Sequence, residues 1–456
     1  MPNFAAMPTS KKQPDLAWQV SLLNDSADAL AGRGQLEDAN RVYEQILEIA
    51  PYHLRALDFV AARAYERGDT GLGLELLHRS LQANPNRPLT YQNLGLLHKA
   101  RGEYDQALEA LERALALRPA YPMALVHKGS ILELLGRDRE AVRAYLQAWK
   151  QAPGFQQARY SERTPAHVRE LLFHTAEVIS QARTELLDRA LAELRAQHDG
   201  VALRRIEQFV DGYLGKTTPT SKHAMQRPSF LYFPELEPRA FFEREEFGWI
   251  MELESATAEI RGELLAVLQK PEELHPYVQV NAQDPAQWKE LNNSPQWSSF
   301  HFYKGGERHA AHCAQCPITA GVIAKLPLPY TPSHSPEVFF SILKPGTHIP
   351  PHHGLGNYKI VVHLPLIVPG DCAIRVGNET RTWTEGHCLI FDDSFQHEAW
   401  NKSNESRSVL ILEVWNPQLS IAEQHAVAAV LGVIRDFERE YGAAAPRADH
   451  EIHPSS

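Results

Sequence analysis

His352 and His397 lie 45 residues apart, the first inside the run KPGTHIPPHHGLG and the second just after the tight run DDSFQ. Two imidazoles brought together from separate strands can bind a first-row transition metal. His348 and His353 stand beside the first, so residue type alone does not choose among the three. Arg407 opens the apolar run SVLILEVW. If it points inward it needs an anion, and no carboxylate on the neighbouring runs is an obvious mate, so the carboxylate of a ligand is the natural candidate. His363 sits in the run YKIVVHLPLIV, where alternation puts Lys359, Val361, His363 and Pro365 on one face. A buried histidine on such a strand requires a polar partner. Asp392 and Asp393 resemble a carboxylate pair, but their place before His397 suits a turn whose backbone amides they accept. Trp383 and Trp400 read as core aromatics. The segment HAAHCAQC (His309, His312, Cys313, Cys316) has the residue types of a zinc or redox site, but one C-x-x-C without a second pair is a weak signal.

These residues need strands to hold them. EVFFSIL, YKIVVHLPLIV, CAIRVG, TRTWT, HCLIFDD and SVLILEVW are short apolar runs separated by Gly, Pro, Asn and Asp, which predicts β-strands joined by turns. Six such runs in close succession suggest a sandwich or double-sheet jelly roll. A last amphipathic segment, IAEQHAVAAVLGVIRDFEREY, predicts a helix outside the sheets.

The first third has a different texture. Pro51, Pro85, Pro119 and Pro153 recur every 34 residues, as do Gly34, Gly68, Gly102 and Gly136, and the small residues Ala39, Gly73, Ala107 and Ala141. The glycine fits a tight turn between two helices, the small residue a close helix approach, and the proline the end of the second helix. A 34-residue helix-turn-helix unit is the tetratricopeptide (TPR) period. Four units fit residues 18–155, with a groove that suits a peptide or protein partner. Residues 1–17 and 442–456 read as flexible, 156–225 as a helical cap and connector, and 226–441 as the second domain.

The second domain resembles the aspartyl/asparaginyl β-hydroxylase family of Fe(II)- and 2-oxoglutarate-dependent oxygenases, some of which carry a TPR segment ahead of the oxygenase. The resemblance runs from RPSFLYFPEL (227–236) through QWSSFHFYKGGE (296–307) to VWNP (414–417), and KPGTHIPPH, CAIRVGNETRTWTEG and LIFDDSFQHEAWN are its distinctive phrases. It implies an N-terminal all-α TPR superhelix followed by a double-stranded β-helix (jelly-roll) oxygenase domain with flanking helices. It implies His352 and His397 as iron ligands, Arg407 and Ser341 on the distal carboxylate of 2-oxoglutarate, and His363 near the metal-proximal carboxylate. The catalytic set is then His352, His397 and Arg407, with Fe(II), 2-oxoglutarate and O2 as the reagents. Two positions stand out. Gly354 occupies the place where most enzymes of this chemistry carry a third, carboxylate ligand; the family also lacks it, and water fills the place. Val361 replaces an arginine usual in the family, and Lys359 on the same face is a partial substitute with a point charge only.

The expected activity is hydroxylation of an Asp- or Asn-type residue in a peptide or protein recruited by the TPR groove. The rivals are a free or carrier-bound amino acid or a lipid acyl chain as substrate, or a non-catalytic TPR binding protein with a degenerate oxygenase domain. A net charge of -10 argues against general binding to nucleic acid or anionic membranes. No run approaches the ~18 apolar residues of a membrane span. Four cysteines in 456 residues form no disulfide framework, so a reducing cytoplasm is the simplest compartment.

Overall fold

The computed structural model describes residues 16–197, 200–279 and 286–441. The expected flexible tail, 442–456, and residues 1–15 of the expected flexible N-terminus lie outside them. Leu16 and Ala17, read from sequence as part of that N-terminus, already belong to a helix. The chain divides into two compact units, with the division between Ile179 and Ser180. No helix among the described residues is long and apolar enough to cross a membrane.

The first unit is built of helix pairs: α1 (Leu16–Gly32) with α2 (Leu36–Ile49), α3 (Leu54–Glu66) with α4 (Thr70–Ala83), α5 (Pro88–Ala100) with α6 (Tyr104–Leu117), and α7 (Pro122–Leu134) with α8 (Asp138–Gln151). The repeated glycines close these pairs in the left-handed conformation, Gly102 at φ +74° among them, which an L side chain rarely adopts. The repeated small residues are buried where helices meet: Ala39, Ala107 and Ala141 are fully covered. A Cβ on Gly73 would stand 2.9 Å from Leu97 Cδ1. A short helix α9 (Phe155–Ala158) and the long α10 (Ala166–Gln197) follow. The connector expected at 156–225 is not one piece. Val178 and Ile179 pack with Tyr145 of the repeat unit, whereas Leu187, Leu191 and Leu194 of the same helix join a core with Leu203, Ile206 and Phe209 of α11 (Gly200–Tyr213) in the second unit.

The described residues of the second unit hold twelve strands: β1 (Phe241–Phe242), β2 (His275–Pro276), β3 (Trp297–Lys304), β4 (Glu307–Arg308), β5 (Val338–Leu343), β6 (His348–His352), β7 (Lys359–Ile367), β8 (Cys372–Val376), β9 (Glu379–Arg381), β10 (Leu389–Phe391), β11 (His397–Asn401) and β12 (Arg407–Trp415). One antiparallel sheet runs β1-β10-β7-β12-β5-β3-β2 with β4 beside β3; the other runs β6-β11-β8-β9. Alternation along the central strands sorts their side chains. Ile360, Val362 and Leu364 of β7 and Leu410, Leu412 and Val414 of β12 face a core shared with helical residues Leu253, Ile260 and Leu264. Val361 and Ile411 face the other way and pack with Ile349, Ile374, Val376 and Ala399 of the smaller sheet. Each fully buried Leu or Val on the helix side contributes about 1.5–3 kcal/mol, so the register of these strands is firmly held. A one-residue slip would turn every site residue away from the space between the sheets.

Within α7, a Cβ on Gly129 would overlap the ring of Tyr145, which is itself fully buried. Gly129→Ala is therefore expected to destabilise the repeat unit by about 1–3 kcal/mol. Gly154, with open space around its Cα, serves as the control. Urea unfolding followed by circular dichroism checks it; equal midpoints for the two variants would contradict the tight helix contact.

Candidate functional site

His352 ends β6 and His397 begins β11, and the two residues are direct partners in the register. Their ring centroids stand 4.0 Å apart at 50°. Each Nδ1 meets the backbone carbonyl two residues earlier: His352 with Pro350 O at 2.8 Å and His397 with Phe395 O at 2.9 Å. A carbonyl only accepts, so Nδ1 carries the proton in both rings and the Nε2 atoms are the lone-pair sites. Burial and the neighbouring His397 hold the His352 pKa well below the ordinary value, keeping it a neutral ligand. Trp288 lies edge-on to His352 at 5.2 Å and Phe391 tilts against His397 at 5.5 Å, fixing the rings. The loop after His352 is tied down by the segment before β1. Ser229 N donates to Gly354 O at 2.9 Å, Leu231 N to Leu355 O at 2.9 Å, and Phe233 N to Asn357 Oδ1 at 2.6 Å.

Across the same cavity lie Ser341, Val361, His363 and Arg407 of the larger sheet. Arg407 is 1% exposed, and its Nε and Nη1 have no hydrogen-bond partner among the described residues. Burial without a counter-ion drops its pKa to about 10. What supports the guanidinium is the face of Trp383, 4.9 Å from Cζ to ring centroid. The Trp383 Nε1 donates to His363 Nδ1 at 3.2 Å. His363, neutral because burial and Arg407 depress its pKa, therefore keeps its proton on Nε2 as a donor. Ser341 Oγ accepts from Trp297 Nε1 at 3.1 Å, which leaves its hydroxyl proton to donate. One buried cation and two neutral donors thus share this part of the cavity wall.

The register gives the cavity a second end. Val361 is opposite Glu413 and His363 opposite Ile411, while Phe339 is opposite Ile411 on the other side. Glu413, Glu337 and Asp393 all line the cavity. Glu413 accepts from Ser335 Oγ at 2.6 Å and from Glu337 N at 2.9 Å. Burial and the nearby Glu413 push Glu337 up to about 8. Burial raises Asp393 to about 7, against the pull of Lys359. Asp393 Oδ1 is buried without a partner.

The sequence-predicted residues fare differently. His352, His397, His363, Ser341 and Arg407 come together around one cavity. Lys359 does not line it: its Nζ is ion-paired with Glu413, so it cannot serve as the free substitute cation expected of it. Asp392 shapes the turn as expected, accepting from Ser394 N at 2.9 Å and Gln226 Nε2 at 2.9 Å. Asp393 departs from that reading. A Cβ on Gly354 would overlap its carboxylate, so Asp393 fills the space a side chain at 354 would need. The doubled aspartate was the available signal, since one carboxylate suffices for the turn. Trp383 is core, as read, and from there it also contacts Arg407 and His363. Cys313 and Cys316 are buried free thiols whose pKa values burial raises, and no group of three or more potential metal ligands occurs among the described residues.

Residues 254–417 match the family model described as aspartyl/asparaginyl beta-hydroxylase, and residues 93–155 match a tetratricopeptide repeat model. Over 141 residues the chain is 38% identical to the aspartyl/asparaginyl beta-hydroxylase of Homo sapiens, covering 31% of this chain and 18% of that protein. Over 195 residues it is 33% identical to the ornithine lipid ester-linked acyl 2-hydroxylase of Rhizobium tropici, covering 42% of this chain and 66% of that one. The chain therefore spans under a fifth of the human relative. A crystal structure of MamA protein aligns with 36% of this chain and 87% of that chain at 20% identity, with a TM-score of 0.29 too low to bear on the fold.

Two outcomes follow from the site's charges. Arg407→Met removes an unpaired buried cation and keeps the volume, so the ligand-free variant should be more stable than the parent by about 1 kcal/mol or more. Chemical denaturation reads this, and a loss of stability would show that Arg407 has a protein partner after all. Unfolded carboxylates lose their protons near about 4, whereas folded Glu337, Asp392 and Asp393 keep theirs up to about 8, 7 and 7. Between these values the folded state holds more protons, so metal-free stability should fall as pH rises from about 5 to 8. A flat profile in that window would contradict the burial of these groups.

Proposed function

From a chain that carries a domain of the aspartyl/asparaginyl β-hydroxylase family together with tetratricopeptide repeats, we propose an Fe(II)- and 2-oxoglutarate-dependent hydroxylase acting on a residue of a peptide or protein. The observation that carries the reading is Arg407, a buried guanidinium whose Nε and Nη1 have no partner among the described residues, in the cavity that also holds His352 and His397. Such a cation calls for a carboxylate ligand.

The donor set suits the metal. Two Nε2 lone pairs, oriented by Nδ1–H bonds to carbonyls, match what a divalent first-row ion requires of imidazole. When bound, iron supplies the oxygen activation by which 2-oxoglutarate, O2 and a C–H bond become succinate, CO2 and an alcohol. The chain's own residues do the rest. Arg407 and Ser341 hold the distal carboxylate of 2-oxoglutarate. His363 donates from Nε2 toward the keto-acid end. The apolar wall of Ile349, Ile374 and Ile411 keeps bulk water out.

The TPR groove brings the substrate. Arg55, Phe59, Leu89 and Asn93 line a cleft in the first unit and mix apolar with hydrogen-bonding groups, as recognition of an extended peptide needs. By their names the human relative acts on aspartyl and asparaginyl residues and the Rhizobium tropici relative on a lipid acyl chain; which group this cavity takes depends on the wall beyond Val361.

Anaerobic titration of the full chain with Fe(II) and 2-oxoglutarate should produce the visible charge-transfer absorption of a chelated keto acid. His352→Ala should abolish it, and Arg407→Ala should raise the 2-oxoglutarate concentration needed by at least about a hundredfold. Absence of the band in the parent at high cosubstrate would overturn the proposal.

A further inference from the structure

The proposed chemistry uses Arg407, Ser341 and the histidines and leaves the other end of the cavity unexplained. Along β12, Glu413 lies six residues beyond Arg407, a separation of about 20 Å at a strand's rise per residue. Between them, Ile411 faces His363 on one side and Phe339 on the other. A dicarboxylate anchored on Arg407 and Ser341 with its keto acid near His363 therefore leaves the Glu413 end to the substrate. That end is built of carboxylates. Glu337 and Glu413 are 8% and 5% exposed, and Asp393 presents the buried, unpartnered Oδ1. They are compensated only in part: the pull of Lys304 and Lys359 on Glu337 is outweighed by burial and by Glu413. Lys359 is one charge and is taken by Glu413. His301 stands 3.5 Å from Glu337 and is charged only if protonated. His334 is held neutral by burial, and Val361 brings no charge at all. Tyr277 and Phe339 add stacked aromatic faces, ring centroids 4.9 Å apart, to the same cavity.

Resting on the hydroxylase reading, we infer that the substrate side chain this cavity takes is positively charged, an ammonium or guanidinium seated against Glu337 and Asp393 with Tyr277 and Phe339 beside it. An aspartyl side chain would bring a fourth carboxylate into a wall that already lacks counter-charge, with like charges facing one another in a low dielectric. A cation removes that repulsion and gains the aromatic faces. The raised pKa values of Glu337 and Asp393 agree: both groups hold protons for want of a cation, so cation affinity rises as pH climbs through about 7 and 8.

The test uses the full chain with Fe(II) and saturating 2-oxoglutarate under anaerobic conditions. The probes are n-butylammonium, n-butylguanidinium, butyramide and butyrate, and the readout is the perturbation of the charge-transfer band. If no band forms, the hydroxylase reading itself has failed. With the band present, the two cations should bind at least about tenfold more tightly than butyramide, and butyrate more weakly than either. Glu337→Gln should remove about tenfold of the cation preference. Val361→Arg, which places a cation in the wall from the neighbouring strand, should weaken the cations and admit butyrate. Either variant suffices should the other fail to fold. Cationic probes binding no better than butyramide, or butyrate binding as well as they do, would overturn the inference.

Discussion

An arginine with no protein counter-ion, shut away from water between two sheets, is the costliest feature of this fold and the one around which the site is arranged. Moving a guanidinium out of water is unfavourable unless its charge and donors are met. Here Nε and Nη1 are unmet and burial alone lowers the pKa to about 10. The surrounding hydrogen bonds are made in a way that does not relieve it. Trp297 is spent on Ser341 and Trp383 on His363, so these two partners present protons, not acceptors, to the cavity. A wall consisting of one cation and two donors is complementary to an anion.

The histidine pair depends on a different constraint, the fixing of tautomers by the backbone. Both rings give Nδ1–H to a carbonyl two residues back, a contact set by local chain direction at the strand ends and not by any distant side chain. That makes the segment containing Ser229, Leu231 and Phe233 part of the site without touching the cavity chemistry, because it pins the loop that follows His352. It also explains Gly354: the room for a side chain there is occupied by Asp393, so a carboxylate is present near the missing ligand position but arrives from another loop.

Much of this was legible in the sequence. The 34-residue recurrence of Gly, Pro and small residues carries its own physics, and all four helix pairs are there. The alternation in KIVVHLPLI placed Val361 and His363 on one face, and the two cores follow it. Two site strands escaped. β6 is His-Ile-Pro-Pro-His, and proline speaks against a strand except at an edge, which is where β6 lies. β11 mixes charged, small and aromatic residues without clean alternation. Lys359 misled for a different reason. Its face was right, but a long side chain goes to the nearest opposite charge, and Glu413 on the adjacent strand is tertiary information. The connector misled because a continuous helical pattern says nothing about which core each turn of the helix joins.

Strand register is what lets opposite charges coexist in this cavity without cancelling. Arg407 and Glu413 lie on one strand and, were they free to meet, would form an ion pair worth more to stability than to function. A rigid strand holds them at its two ends, with Ile411 between and Lys359 claiming one of the acids. The uncompensated cation at one end and the uncompensated carboxylates at the other are therefore a consequence of sheet geometry, maintained by the apolar faces of Leu410, Leu412 and Val414 on the opposite side. A single change of register would turn both ends away from the space between the sheets, which is why the specificity of the cavity and the stability of the core rest on the same alternation.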